Sequence, residues 1–492
     1  MSAWTWGFGD TLTGEDIAVV DANTAALGVA QRELMESSGH ALARAVREAA
    51  VPDDRIAIVA GRGNNGGDAL VAARFLDDLD VAVHLLGRPG SIGTDIARAN
   101  WDALAGASVE RQAVGDSGDL DLGDPDLIVD AMLGTGIAGE LREPVASAAD
   151  AIDASDATVI AADVPSGLDA ATGDCAPGTI EPDRVVTFHR PKPGLDALDA
   201  PVTVADIGVP ADAERAVGPG DLQRLDRPAD SHKGAGGRIL VVGGGPYAGA
   251  PALAGLAALR AGADLIRVIA PESVADAIQG YAPDLIVRSL SGDRIEPAHV
   301  DRLAAAAADQ DALVIGPGLG EAERSREAVR ALLARWSGRA VADAEAIDAA
   351  AAADTDADLV LTPHRGEFER VAGPIESDHA DPVADAVATA ARDHDATVLL
   401  KGPRDVISNG ERVRVNHTGN AGMTVGGTGD VLAGTVGALL AVQPPMVAAG
   451  LGAWLVGRAG DRAAERSGRG LIASELPDDV GAILGEDGNE RS

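Results

Sequence analysis

Residues 55–68 read RIAIVAGRGNNGGD, and this stretch decides the fold. Arg55 to Ala60 is a short apolar run of strand length, and it passes into a glycine-rich loop followed by an alanine-rich segment of helical period. Strand, loop and helix in that order open an α/β unit. Gly61, Gly63 and Gly66 satisfy G-x-G-x-x-G, a spacing that lets backbone amides at a helix start approach a pyrophosphate. The acid that an NAD-binding fold carries about twenty residues further on is replaced here by Leu86, Gly87 and Arg88. A conventional NAD fingerprint therefore fails, and a tight glycine turn is the simple alternative. Asn64, Asn65 and Asp68 argue for a ligand, because a turn needs only one such residue.

Working outward, a helix is expected over 32–50 and strands over 81–86, 126–130, 158–163, 184–188 and 201–206, separated by alanine-rich helical stretches. That alternation predicts a parallel sheet with helices on both faces. Strand signals stop between Val209 and Asp230, where Pro210, Pro219, Gly220 and Pro228 mark a domain boundary. The alternation restarts with strands over 238–243, 265–270, 312–316, 340–343, 359–362 and 397–401. The apolar stretch 436–456 contains Gln443, Pro444 and Pro445, so it reads as two buried helices and not as a membrane span. The fold class is thus α/β in two domains, placed at 1–215 and 225–485, the first a Rossmann-like three-layer α/β/α sandwich.

Asp and Glu total 77 against 40 Lys and Arg in 492 residues, a net charge of -37 that repels nucleic acids and anionic membranes. With 46% hydrophobic residues, this is an acidic globular surface and not a disordered tail. The single cysteine, Cys175, excludes an intrachain disulfide and a thiolate zinc cluster. No basic segment followed by an apolar stretch opens the chain, so a cytoplasmic location is expected. Lysine occurs only at Lys192, Lys233 and Lys401, the other 37 basic residues being arginine. This bias resembles proteins of salt-loving archaea, in which a Debye length of about 3 Å at 1 M salt makes such self-repulsion tolerable. Lysines retained against it are expected to have specific work.

Three further strand ends carry chemistry: DAMLGTG from Asp130, DVPSGLDAATG from Asp163 and TFHRPKPGL from Thr187. Together with GRGNNGGD they resemble the NAD(P)H-hydrate epimerase domain over about residues 1–215. The resemblance implies that Asn64, Asn65, Gly66, Gly67 and Asp68, with Gly134, Thr135, Gly136, Ile137, Ala138, Gly139 and Glu140, hold a hydrated dinucleotide. Asp163 would contact the reacting ring as the catalytic proton-transfer group. The resemblance also implies a potassium ion (K+) at Asn65, Asp130 and Ser166, all hard oxygen donors. The plain alternative is that Asp130 and Ser166 cap nearby helices. Lys192 fits a contact with an anionic ligand but receives no catalytic role.

In the second half, NAGMTVGGTGDVLAG (Asn420 to Gly434) leaves amides free at the start of a helix, an anion hole for a phosphoryl group, with Asp430 placed to take a proton beside it. This arrangement resembles the ribokinase superfamily. GPGLG from Gly316, TPHRGEFERVAG from Thr362 and VLLKGPRDVI from Val398 narrow the resemblance to the ADP-dependent NAD(P)H-hydrate dehydratase family, over about 225–485. By resemblance, Ala250, Gly318, His364 and catalytic Asp430 touch the hydrated dinucleotide. Lys401, Gly402, Pro403, Arg404, Asp405 and Gly429 contact ADP, the phosphoryl donor, which magnesium (Mg2+) accompanies. A lone histidine is otherwise a structural residue, and Asp343 and Glu345 receive no role. The implied activity is repair of hydrated NADH and NADPH (NADHX and NADPHX): interconversion of the R and S forms, then ADP-dependent dehydration of the S form. Self-association into a homo-oligomer is expected, as kinase-like folds often do. Alternatives are a kinase that keeps its phosphorylated product beside a dinucleotide-binding regulatory domain, and an N-terminal interaction module.

Overall fold

The computed structural model describes residues 4–136, 139–225 and 234–490. The chain divides into Phe8–Ala213 and a second unit of Met1–Gly7 with Glu214–Ser492. The first strand, β1 (Thr5–Trp6), pairs in parallel with Arg412–Asn416, so the amino-terminal residues belong to the second unit and not, as expected, to the first. The reason is local burial: Trp4 is 7% exposed, its indole N–H donates to Asp385 at 2.6 Å, and its ring meets Trp6 edge-on. The short strand also covers a sheet edge that would otherwise be open to pairing.

In the first unit, seven parallel strands are β2 (Arg55–Ala60), β3 (Asp80–Leu86), β4 (Glu110–Val114), β5 (Leu127–Ala131), β6 (Thr158–Ala162), β7 (Arg184–Phe188) and β8 (Val202–Ala205). Their order is β4-β3-β2-β5-β6-β7-β8. Alternate residues of β2 feed opposite cores: Ile56 and Ile58 join Leu42, Val46 and Leu70, whereas Ala57 and Val59 join Met132 and Ile152. Burial on both faces explains why the strand reads as a continuous apolar run. Order reverses between β2 and β5, and at such a switch point the loops diverge and leave a crevice.

The second unit holds β9 (Arg238–Val242), β10 (Leu265–Pro271), β11 (Leu285–Leu290), β12 (Ala312–Ile315), β13 (Arg339–Ala342), β14 (Asp358–Leu361), β15 (Ala396–Leu400), β16 (Asp405–Ser408) and β17 (Arg412–Asn416). Ordered β1-β17-β16-β15-β14-β13-β12-β9-β10-β11, the sheet is parallel except across β15-β16-β17. Ile239 and Val241 of β9 pack on one face with Val436 and Leu455, and Leu240 and Val242 pack on the other with Leu303 and Leu332. The switch point here lies between β9 and β12. Residues 436–456 fall in two helices, Thr428–Leu440 and Pro445–Ser467, separated at the expected glutamine and prolines. Among the described residues, no helix is long and apolar enough to cross a membrane.

Candidate active sites

The first crevice is a cavity of about 1260 Å³ at the carboxyl ends of the first unit's strands. One wall is helix α1 (Gly14–Ala26), and another is the loop from β2 into helix α2 (Asn64–Phe75). A β-carbon on Gly61 would lie 1.8 Å from the Met132 carbonyl, and one on Gly66 would lie 2.1 Å from that of Gly61. Only glycine permits the loop to fold this tightly against the end of β5. Asn64, Asn65, Gly66, Asp68, Gly134, Thr135, Gly136, Gly139 and Glu140 all line the cavity. Gly67 does not; its α-carbon faces Met35 and Ala97, so it serves packing. Ile137 and Ala138 lie outside the described residues.

Asp163 follows β6 with a φ of +64°, a left-handed conformation uncommon outside glycine but tolerated by aspartate. Its Oδ1 accepts from the Thr187 hydroxyl at 3.0 Å, from the Phe188 amide at 3.1 Å and from the Lys192 ammonium. Lys192 is 2% exposed, and it also donates to Thr187 Oγ1 and the Phe188 carbonyl. A charge buried so fully demands such partners. Lysine scarcity was the signal for Lys192; its partner could not be read from spacing, because the two are brought together by adjacent strands.

Beneath this floor, Asp130 is fully buried and accepts from Ser166 Oγ at 2.6 Å and from the Ser166 amide at 2.7 Å. Burial raises its carboxyl above the usual range, and the Ser166 and Met132 donors oppose that rise. The Asn65 amide group donates to the carbonyls of Leu133 (2.6 Å) and Ala162 (3.0 Å), while Asn65 Oδ1 is buried without a hydrogen bond. Two further carboxyls were not singled out for their ionisation. Burial pushes Asp21 up to about 6, with His189 and Lys192 opposing and Asp163 adding. Burial holds Asp68 well above the ordinary range, with Asp163 and Asp21 adding and Lys192 opposing.

In the second unit, loops after β9 and β12 meet at the switch point. Gly318, with φ +73°, has room for no β-carbon: one would lie 2.6 Å from the Tyr247 carbonyl and 3.4 Å from Ala250 Cβ, at the start of helix α3 (Gly249–Arg260). Ala250 and Gly318 are therefore neighbours. His364 precedes helix α4 (Arg365–Ala372) and caps it: Nδ1 accepts from the amides of Gly366 (3.0 Å) and Glu367 (3.2 Å). The histidine thus serves as a helix cap, and its side chain is 59% exposed. Its backbone bridges to Lys401 at the end of β15.

Lys401 Nζ donates to Asp343 Oδ1 at 2.7 Å and lies 3.8 Å from Glu367. Burial works against its charge, but Asp343, Glu367 and Asp430 together carry its titration upward. Thr362 donates to the same Asp343 oxygen at 2.8 Å. The pair abuts the start of helix α5 (Thr428–Leu440): a β-carbon on Gly429 would lie 3.5 Å from Lys401 Nζ and 3.7 Å from Asp343 Oδ2. Gly427, at φ +101°, begins that helix. Asp430 stands in its first turn, and burial lifts its carboxyl to about 7; Asp343 and Glu345 add to the rise, and Lys401 opposes it. Gly402, Pro403 and Arg404 are exposed, and Asp405 closes their turn by accepting from the Gly402 amide at 3.0 Å. Sequence reasoning ended a strand at Asp343 but left the residue without a role; its contact with Lys401 joins the ends of separate strands and could not be read from spacing.

A carbohydrate-kinase family model described as NAD(P)H-hydrate dehydratase matches residues 239–480, in accord with a ribokinase-like second unit, and one described as YjeF-related protein N-terminus matches 31–194. The bifunctional NAD(P)H-hydrate repair enzyme Nnr of Methanothermobacter thermautotrophicus is 42% identical over 493 residues, covering 95% of this chain and 94% of its own. The enzyme of the same name from Archaeoglobus fulgidus is 41% identical over 471 residues, covering 94% and 96%. A solved structure from Streptococcus mutans, protein SMU.573, shares the fold of the second unit, with 23% identity and a TM-score of 0.50 over 55% of this chain and 99% of that one. Similar from end to end to relatives at this level of identity, the chain belongs to the family of bifunctional NAD(P)H-hydrate repair enzymes.

Proposed function

We propose that the first unit interconverts the C6 epimers of hydrated NADH and NADPH, and that the second dehydrates the S form using ADP. The observation that carries this reading is Asp430, a carboxyl with a titration near 7, set at a glycine-opened helix start beside the Lys401–Asp343 pair. A carboxylate there can take the C6 hydroxyl proton as that oxygen bonds to the terminal phosphorus of ADP, and AMP leaves. Amides at the helix start and Lys401 stabilise the charge in transit. The ring nitrogen's lone pair then breaks the C6–O bond, expelling phosphate, and loss of a C5 proton restores the dihydropyridine. Ala250, Gly318 and His364 would flank the dinucleotide, and Lys401 to Asp405 the nucleotide. Magnesium would come with ADP and neutralise its phosphates; Glu345, a half-buried carboxylate that acts on Asp430, suits a hard cation.

In the first unit, Asn64 to Asp68 and Gly134 to Glu140 would bind the hydrated dinucleotide, with Asp163 moving the proton and Lys192 fixing it in place. Asn65, Asp130 and Ser166 would hold potassium. A buried carboxylate and an amide oxygen without a hydrogen bond fit a weakly charged hard cation. The ion would supply positive charge beneath the loops that carry the ligand. A cytoplasmic, self-associating protein adapted to high salt is part of the same proposal. The purified protein given ADP and hydrated NADH should regain reduced-nicotinamide absorbance; no recovery with ADP or ATP refutes the reading.

A further inference from the structure

Inverting C6 by loss and return of water moves a proton on each face of the ring, and Asp163 with Lys192 supplies one ion pair to the first cavity. Helix α1 supplies a further carboxyl to the same cavity. Gly14, Ile17, Ala18 and Asp21 line the cavity at helical spacing, so one face of this helix looks into it, and Asp21 is the titratable residue on that face. We propose that Asp21 is a second catalytic residue of the epimerase, touching the C6 hydroxyl on the face of the ring away from Asp163. This rests on the epimerase reading given above.

The step balances in atoms and electrons. The ring nitrogen's lone pair forms a C6=N1 iminium as the C6–O bond breaks, and Asp21 gives its proton to the departing hydroxyl, which leaves as water. Water then adds to the other face, the iminium electrons return to nitrogen, and Asp163 takes the surplus proton. One proton thus passes from one carboxyl to the other, and the reverse reaction uses the opposite assignment. Two carboxyls in one cavity suit this when their environments differ. Asp163 has its Oδ1 committed to three donors including an ammonium. Asp21 accepts no hydrogen bond from a described residue, and burial lifts it to about 6 against the pull of His189 and Lys192. Asp68 also faces the group, and burial holds its carboxyl well above the ordinary range, with Asp163 and Asp21 adding.

The test is equilibration of the separated R and S forms by the full chain with no ADP present, so that only the epimerase is read. Wild type sets the reference: if it does not speed equilibration, the epimerase reading itself fails, whatever the variants do. Asp21→Asn should slow equilibration by about 100-fold or more, with ADP-dependent dehydration of the S form unchanged. Wild-type equilibration should also decline as pH rises above about 6, and Asp21→Asn should lack that limb. Equilibration by Asp21→Asn within about threefold of wild type overturns the proposal. If Asp21→Asn also lowers the unfolding midpoint, Asp21→Glu decides: recovery of a tenth or more of the rate supports the role, and no recovery overturns it.

Discussion

Asp163 and Asp430 are assigned work on the same carbon, yet their surroundings are opposite. Asp163 sits on a left-handed residue with three donors on one oxygen and a buried lysine as partner. Asp430 accepts no hydrogen bond from a described residue, and burial with neighbouring acids lifts it to about 7, while the nearby lysine is claimed by Asp343. The difference teaches how position divides labour: a clamped carboxylate keeps a fixed place at a face of the ring, whereas an unclamped one near neutrality is a ready base for a hydroxyl that must attack phosphorus.

Removing the unclamped group should do most. Asp430→Asn should lower ADP-dependent dehydration by about 10²- to 10⁴-fold, with epimer equilibration untouched; similar loss of both activities would break the comparison. Removing the clamp is a stability experiment as well as a kinetic one. Lys192→Met leaves a carboxylate in a site of low exposure without its cation, which should cost about 3 kcal/mol in chemical unfolding and slow equilibration. An unfolding curve equal to wild type would show the pair to be dispensable. The smallest effect is on pH. Asp430 must be deprotonated to accept a proton, so dehydration should rise roughly tenfold per pH unit below about 7 and level off above it, measured as kcat at saturating ADP. A flat profile between pH 5 and 8 would remove Asp430 from the base role.

Most of the fold was legible because buried parallel strands are apolar on both faces: β2 and β7 occur with the bounds their runs predict. Glu110–Val114 was missed because four of its five residues are not buried, so nothing in its composition records the pairing with β3. Leu285–Leu290 is likewise half-open at the far edge. The hairpin of β16 and β17 did carry a signal, Asn409–Gly410 with Gly410 at φ +92°, which the alternation of apolar runs overshadowed. Strand β1 has two residues, too few for any periodicity. At the sites, glycine loops and strand-end acids could be placed from spacing. Lys192 on Asp163, Asp343 on Lys401 and the place of Asp21 in the lining of the first cavity could not, since each joins separate elements and depends on how they pack.

We propose that two crevices in one chain act on one carbon of the same damaged cofactor. This is tested most directly by giving the separated R epimer of hydrated NADH, with ADP, to wild type and to Asp163→Ala, and following reduced-nicotinamide absorbance. Wild type should restore the absorbance fully, while Asp163→Ala should leave the R form nearly untouched and yet process the S form at the wild-type rate. Equal recovery from the R form by both proteins would contradict the account.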